Sequence, residues 1–229
     1  RRMALVGDAL SHVALPGIAL ALAYSIDPFW GVVSFCVAGV MIIWMLERKT
    51  RLHSDALIGL LFTFSLAIGI LTIPDTEILE SLFGTFAPLS FPVFVFITGA
   101  GILLIALTFL LAKRFLFSII SPDLAHIESP KSSKWYELAL FIIFAFIVAL
   151  GIKLVGTLLM GALTIIPASI SKNISRSMSG YIIMSALFGG FIGFFGVILA
   201  SKMEFLPGPT IILLGIGLFV ISLFFTRKV

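Results

Sequence analysis

Apolar residues fall into eight long blocks along the chain, at about 3–24, 28–46, 55–73, 91–112, 137–151, 154–171, 178–200 and 208–225. Several approach the ~20 residues that a helix needs to cross a bilayer. The fifth and sixth are parted only by the short GIKLVG stretch, so their boundary is the hardest to place. Polar, turn-rich pieces such as SKNISRS and KMEFLPGPT separate the later blocks. The pattern predicts an all-α membrane protein of about eight transmembrane helices. No internal repeat, low-complexity tract or composition shift divides residues 1–229, which read as a single transmembrane domain.

Two connections are more than turns. Residues 74–90 hold a short apolar piece, LFGTFA, between Pro74 and Pro88. It is too short to span, and the pattern leaves open an interfacial or re-entrant segment and an ordinary loop with a buried Phe. Residues 115–136 form the longest connection. There Ser121 followed by Pro122 and Asp123 makes a helix start, with Pro at the first helical position and an acid in the first turn. Pro130 is expected to close this short helix near 121–129, which fits either a docking element for another protein or a surface connector. In the seventh block, Gly189 and Gly193 form a GxxxG pair, with Gly190 and Gly196 nearby, and predict close helix approach.

Composition strengthens the membrane reading. Hydrophobic residues make up 60% and charged residues 11%, against about 25% charged in soluble domains, and the mean hydropathy is +1.22. If Arg1 and Arg2 are cytoplasmic, alternation of eight spans places thirteen of the fifteen Lys and Arg inside, leaving only Lys153 and Lys202 outside. The acidic loop with Asp75, Glu77 and Glu80 then lies outside, and the C-terminus is cytoplasmic. The net charge of +4 is thus loop charge that sets orientation, and a nucleic-acid partner has no support. Cys36, alone in an apolar run, reads as a packed core thiol. The chain opens on Arg1 with no leader, which reads as a fragment or processed form.

Candidate chemistry gathers in Gly7–Gly17, GDALSHVALPG. In a helix, Asp8, Ser11 and His12 share one face. If Arg2 marks the membrane edge, Asp8 lies about 9 Å in and His12 about 15 Å in, near the midplane. Ionisable groups at that depth are costly unless they face protein or water. Pro16 removes a backbone donor one turn later, and a kink or loosening is expected beside them. A self-satisfied carboxylate–imidazole hydrogen bond is the plain structural reading; inside a bilayer the balance shifts toward function.

Enzyme readings fare poorly: the sequence has no HExxH, no GxSxG and no phosphate-binding GK[ST] loop, and no catalytic residue is nominated. Carboxylate plus imidazole suits divalent first-row metals such as zinc, manganese or iron. Two ligands fall short of the four of a closed zinc site. For transport that shortfall helps, because the ion must leave again, and a symmetric partner can supply a second pair. Two rivals stand beside this: a stand-alone proton-coupled cation carrier, and a membrane-embedded enzyme or assembly protein that uses Asp8 and His12 structurally.

The segment RRMALVGDALSHVALPGIAL resembles the start of the membrane permease in the ABC importer family for zinc, manganese and iron. The resemblance continues through DALIGLLFTFSLAIGI, SLFGTFAPLS, ISPDLAHIE, GIKLVGTLLMGALTIIPASISKNISR and LPGPTIILL, in order and across essentially the whole chain. It implies an ABC importer permease bundle in a prokaryotic cell membrane, working as a second-copy dimer with cytoplasmic ATPase subunits and an extracellular metal-binding protein. The transported divalent metal is then the only metal involved, with no permanent cofactor. Asp8 and His12 match the family's metal path, with Ser11 and Pro16 in support; Ser121, Pro122, Asp123, Leu124 and Ala125 match its ATPase-coupling helix. A helix that the family places before RRM is expected to be missing here. Glu128, Ser129 and Pro130 depart from the glycine the family often has after the coupling helix. Thr63 and Phe64 stand near where some zinc-type members carry a histidine.

Overall fold

A computed structural model describes residues 3–50, 54–73, 75–84, 90–120 and 130–225, and within them all regular structure is helical. The helices are α1 (Met3–Ala23), α2 (Pro28–Lys49), α3 (Ser54–Thr72), α4 (Asp75–Phe83), α5 (Phe91–Ile120), α6 (Pro130–Val155), α7 (Thr157–Ile174), α8 (Met178–Met203) and α9 (Pro207–Leu223). All but α4 correspond to the eight apolar blocks. Six described segments are long and apolar enough to cross a bilayer, and two shorter apolar ones lie in α1 and α9.

The helix ends follow local chemistry. Asp27 caps α2, its Oδ1 accepting from the Phe29 amide at 2.8 Å, with Pro28 at the first position. Ser177 caps α8 by accepting from the Gly180 amide at 3.1 Å. The boundary between α6 and α7 falls at Gly156, whose φ of +80° is open to glycine and strained for other residues. Gly84, at φ +72°, packs directly on it, so α4 folds back against the α6–α7 elbow. Thr157 Oγ1 donates to the Ser81 carbonyl at 3.2 Å, and Phe83 sits against Gly208 at the start of α9. Residues 75–83 are therefore a short packed helix and not an open loop.

Three expectations shift. The connection drawn as residues 115–136 is shorter, because α5 runs on to Ile120 and α6 starts at Pro130. Pro130 opens a long helix, the position at which its missing N–H costs nothing. Pro16 lies buried inside an unbroken α1. In α8 the close approach occurs at Gly196, where a Cβ would come within 2.9 Å of the Ile211 Cα. Gly189 makes only ordinary contact with Pro167, and Gly193 has nothing within 4 Å.

The main core surrounds α1. Leu10, Ala14 and Ile18 pack with Val32, Cys36 and Val40 of α2 and with Ala145, Val148 and Ala149 of α6. Gly7 meets Phe144 of α6 and Thr164 of α7. The Cys36 thiol donates to the Leu10 carbonyl at 3.5 Å, as a packed core thiol. A second core joins α7, α8 and α9 through Leu159, Ile170, Ile192 and Ile211. By contrast α5 is 6% buried over its spanning stretch, an apolar surface for lipid or for further protein.

The tightest joint is between α1 and α2. A Cβ on Gly17 would run into the Gly31 carbonyl, and one on Gly31 into that of Gly17. Gly31→Val therefore should destabilise the protein by about 1–3 kcal/mol through overpacking. Thermal unfolding in detergent checks this; an unchanged midpoint would show that the joint can spread freely.

Candidate functional site

Along α1 two stripes face different neighbours. Leu10, Ala14 and Ile18 serve the core; His12, Leu15 and Ala19 turn toward α3. His12 stacks edge-on against Phe62, with ring centroids 4.7 Å apart and planes at 81°. One turn on, a Cβ at Gly69 would come within 2.6 Å of the Leu15 Cβ, and Ala19 clusters with Ile73. Residue numbers rise together on both helices, so α1 and α3 run parallel. The imidazole lies in the seam between them.

His12 is 8% exposed and Ser11 fully buried. The backbone of α1 places Asp8 one turn before His12 on the same stripe; its side chain lies outside the described residues. Among the described residues, no three His, Cys, Asp or Glu side chains gather into a group that could hold a metal. The coupling candidates Ser121, Pro122, Asp123, Leu124 and Ala125 fall in 121–129, also outside the described residues. The sequence reading missed Phe62 as the neighbour of His12, because an aromatic in an apolar block carries no local mark of what it touches.

It also passed over Asp27. At the far end of α1 a cavity of about 340 Å³ opens among Ile18, Leu22, Asp27, Glu77, Glu80 and Lys153, with others. Lys153 Nζ bridges both Asp27 carboxylate oxygens, at 3.2 and 3.3 Å, and lies 4.9 Å from the Phe29 ring centroid. This pair ties the start of α2 to the last turn of α6, where an acid and a base each suit the local helix dipole. The Asp27-Pro28 step is a cap signature that could have been read in advance.

A bundle of apolar helices, six of the described ones long enough to cross a bilayer, closed around one that carries a buried imidazole defines a multi-pass membrane protein. The model of the ABC 3 transport family matches residues 1–226. The chain belongs to that family. It is similar to the high-affinity zinc uptake system membrane protein ZnuB of Haemophilus influenzae, at 32% identity over 98% of this chain and 87% of the relative. It is also similar to the manganese import system permease protein ScaB of Streptococcus gordonii, at 28% identity over all of this chain and 83% of the relative. Among solved structures, PsaBC from Streptococcus pneumoniae in complex with Fab matches with a TM-score of 0.82 and 27% identity, over 97% of this chain and 81% of that one. Membership of an ABC transport family sets aside the stand-alone carrier.

Because Asp27 is 55% exposed, its pairing with Lys153 is worth little on its own. Lys153→Met should lower stability by no more than about 1 kcal/mol, and Asp27→Ala by more, because the α2 cap goes with the ion pair. Thermal denaturation of the two variants decides; equal losses would show that the cap contributes nothing.

Proposed function

We propose that this chain is the permease half of an ATP-driven importer that carries a divalent transition metal, zinc, manganese or iron, into the cell. The observation that carries the reading is a buried imidazole in the parallel α1–α3 seam, one helical turn from Asp8, in a chain similar to zinc and manganese permeases. Carboxylate oxygen and imidazole nitrogen are a matched ligand pair for such ions. One chain offers too few ligands to hold the metal permanently, and a second copy brings another pair to a shared axis. Weak, divided coordination lets the ion enter and leave. Ser11 and Pro16 support the path.

ATP chemistry belongs to separate cytoplasmic subunits, since the chain lacks a phosphate-binding loop. Residues 1–229 act as one permease domain, and Ser121–Ala125 within it form the coupling helix near 121–129 that docks on the ATPase. An extracellular metal-binding protein delivers the ion. Clustering of Lys and Arg in alternate connections supports an orientation with the C-terminus in the cytoplasm.

Asp8→Asn and His12→Ala should each abolish metal uptake in vesicles that hold the complete complex, with assembly unchanged. Normal uptake by both would remove the site. Replacing residues 121–125 with a Gly-Ser stretch should leave metal binding intact and uncouple ATP hydrolysis from transport; unaltered stimulation of the ATPase would show that the segment is only a connector.

A further inference from the structure

Hydroxyls on these helices are ordinarily satisfied by their own backbone. Thr63, Thr72, Thr108, Thr164 and Thr210 each donate to the carbonyl four residues earlier, at 2.7–2.9 Å. Ser34 donates to the Gly31 carbonyl at 3.0 Å, and Ser222 to the Phe219 carbonyl at 2.6 Å while accepting from Asn173 Nδ2 at 2.9 Å. Three serines depart from this habit. The Oγ atoms of Ser171, Ser175 and Ser185 are all buried, and among the described residues none of them has a hydrogen-bond partner. Ser171 as a whole residue is fully buried.

The three are neighbours. Helices α7 and α8 are joined by the short turn after Ile174 and pack antiparallel. Pro167 touches Gly189 across the seam, a Cβ at that glycine lying 3.7 Å from the ring. One helical turn toward the connection on each side brings Ser171 level with Ser185. One turn further, Ser175 reaches Gly180, where a Cβ would stand 4.0 Å from its own. Going the other way, Pro167 has no N–H to donate to the Leu163 carbonyl. The hydroxyls thus form a line from the Lys172–Arg176 end of the hairpin into the bilayer.

A buried hydroxyl without a partner is unfavourable, more so where lipid excludes bulk water. A small ligand with several donors and acceptors resolves all three at once. Neutral hydroxyls bring no charge to hold a cation against its hydration shell, so the chemistry selects water, which commonly bridges buried polar groups with about three hydrogen bonds.

We propose that the α7–α8 seam is a hydration site: ordered water bridges Ser171 and Ser185 and continues past Ser175 to the solvent at the Lys172–Arg176 end. Water that can exchange partners lets α8 shift along α7 with no direct protein–protein hydrogen bond to break. The inference stands apart from the metal reading and would survive its failure.

The test uses the assembled complex in lipid nanodiscs, with Ser171→Cys and Ser185→Cys introduced singly and a charged methanethiosulfonate as probe. The unsubstituted protein, whose Cys36 is fully buried, gives the background, and Ile192→Cys, on the dry part of the same α8 face, is the depth control. Both serine variants should react at least an order of magnitude faster than Ile192→Cys. Equal rates would overturn the proposal. Should the cysteine variants fail to assemble, a density map of the unsubstituted complex that resolves bound water decides instead. Water between Ser171 and Ser185 supports the site; a back-bonded Ser171 with no water beside it sinks it.

Discussion

Lipid offers no hydrogen bonds, and α1 is the helix least suited to lipid. It holds a carboxylate, a hydroxyl and an imidazole within two turns, followed by a proline that removes a donor. Such a segment persists in a bilayer only if protein surrounds it. Accordingly α2, α3, α6 and α7 all pack on it, and residues 9–19 are buried almost without break. The outer helices show the reverse: the spanning stretches of α5 and α8 are only 6% and 11% buried, and consist of apolar residues at home in lipid. The arrangement of the bundle follows from covering one polar helix with protein and keeping it from lipid.

Surrounding α1 requires close approach, and glycines supply it. At Gly17 and Gly31 the backbones themselves are in contact, and Gly69 leaves the space that Leu15 fills from α1 into α3. These are two uses of one physical fact, that a missing Cβ brings helix axes nearer where dispersion contact is the chief attraction between helices in lipid. The same fact explains why the GxxxG spacing in α8 misled. Spacing identifies a groove but not what fills it. Among the described residues Gly193 has no neighbour within 4 Å, while Gly196, three residues past it, takes the contact with α9.

Legibility in the sequence followed how local each signal was. Eight apolar blocks, the cap chemistry near residue 28 and the break inside GIKLVG depend on neighbours in the chain, and each could be located by reading it. The two stripes of α1 were half legible. The four-residue spacing of Asp8 and His12 shows that they share a face, but not that His12 meets Phe62. The Asp27–Lys153 pair joins residues 126 positions apart, and nothing in either local stretch marks the other. Helix lengths at the α5 and α6 ends were underestimated for a related reason: residues 113–120 and 130–136 stay helical although Lys113 and Arg114 at the one and the polar PKSSK stretch at the other interrupt the apolar block.

Where the chain bends also bears on how such a site works. Pro16 beside the imidazole suggested a flexible α1, yet the helix passes through it unbroken and buried. The real discontinuity is at Gly156, where a glycine at positive φ meets a second one, Gly84, in the lining of the cavity beside Asp27. An α1 whose backbone is interlocked with α2 at Gly17 and Gly31 cannot tilt alone without separating the tightest joint in the bundle. Its contact with α3 is made by side chains, His12 on Phe62 and Leu15 over Gly69, which can slide by rotamer changes. The α1–α3 seam that holds His12 can therefore adjust through side chains, whereas any displacement at the α1–α2 joint has to part backbones that are in contact.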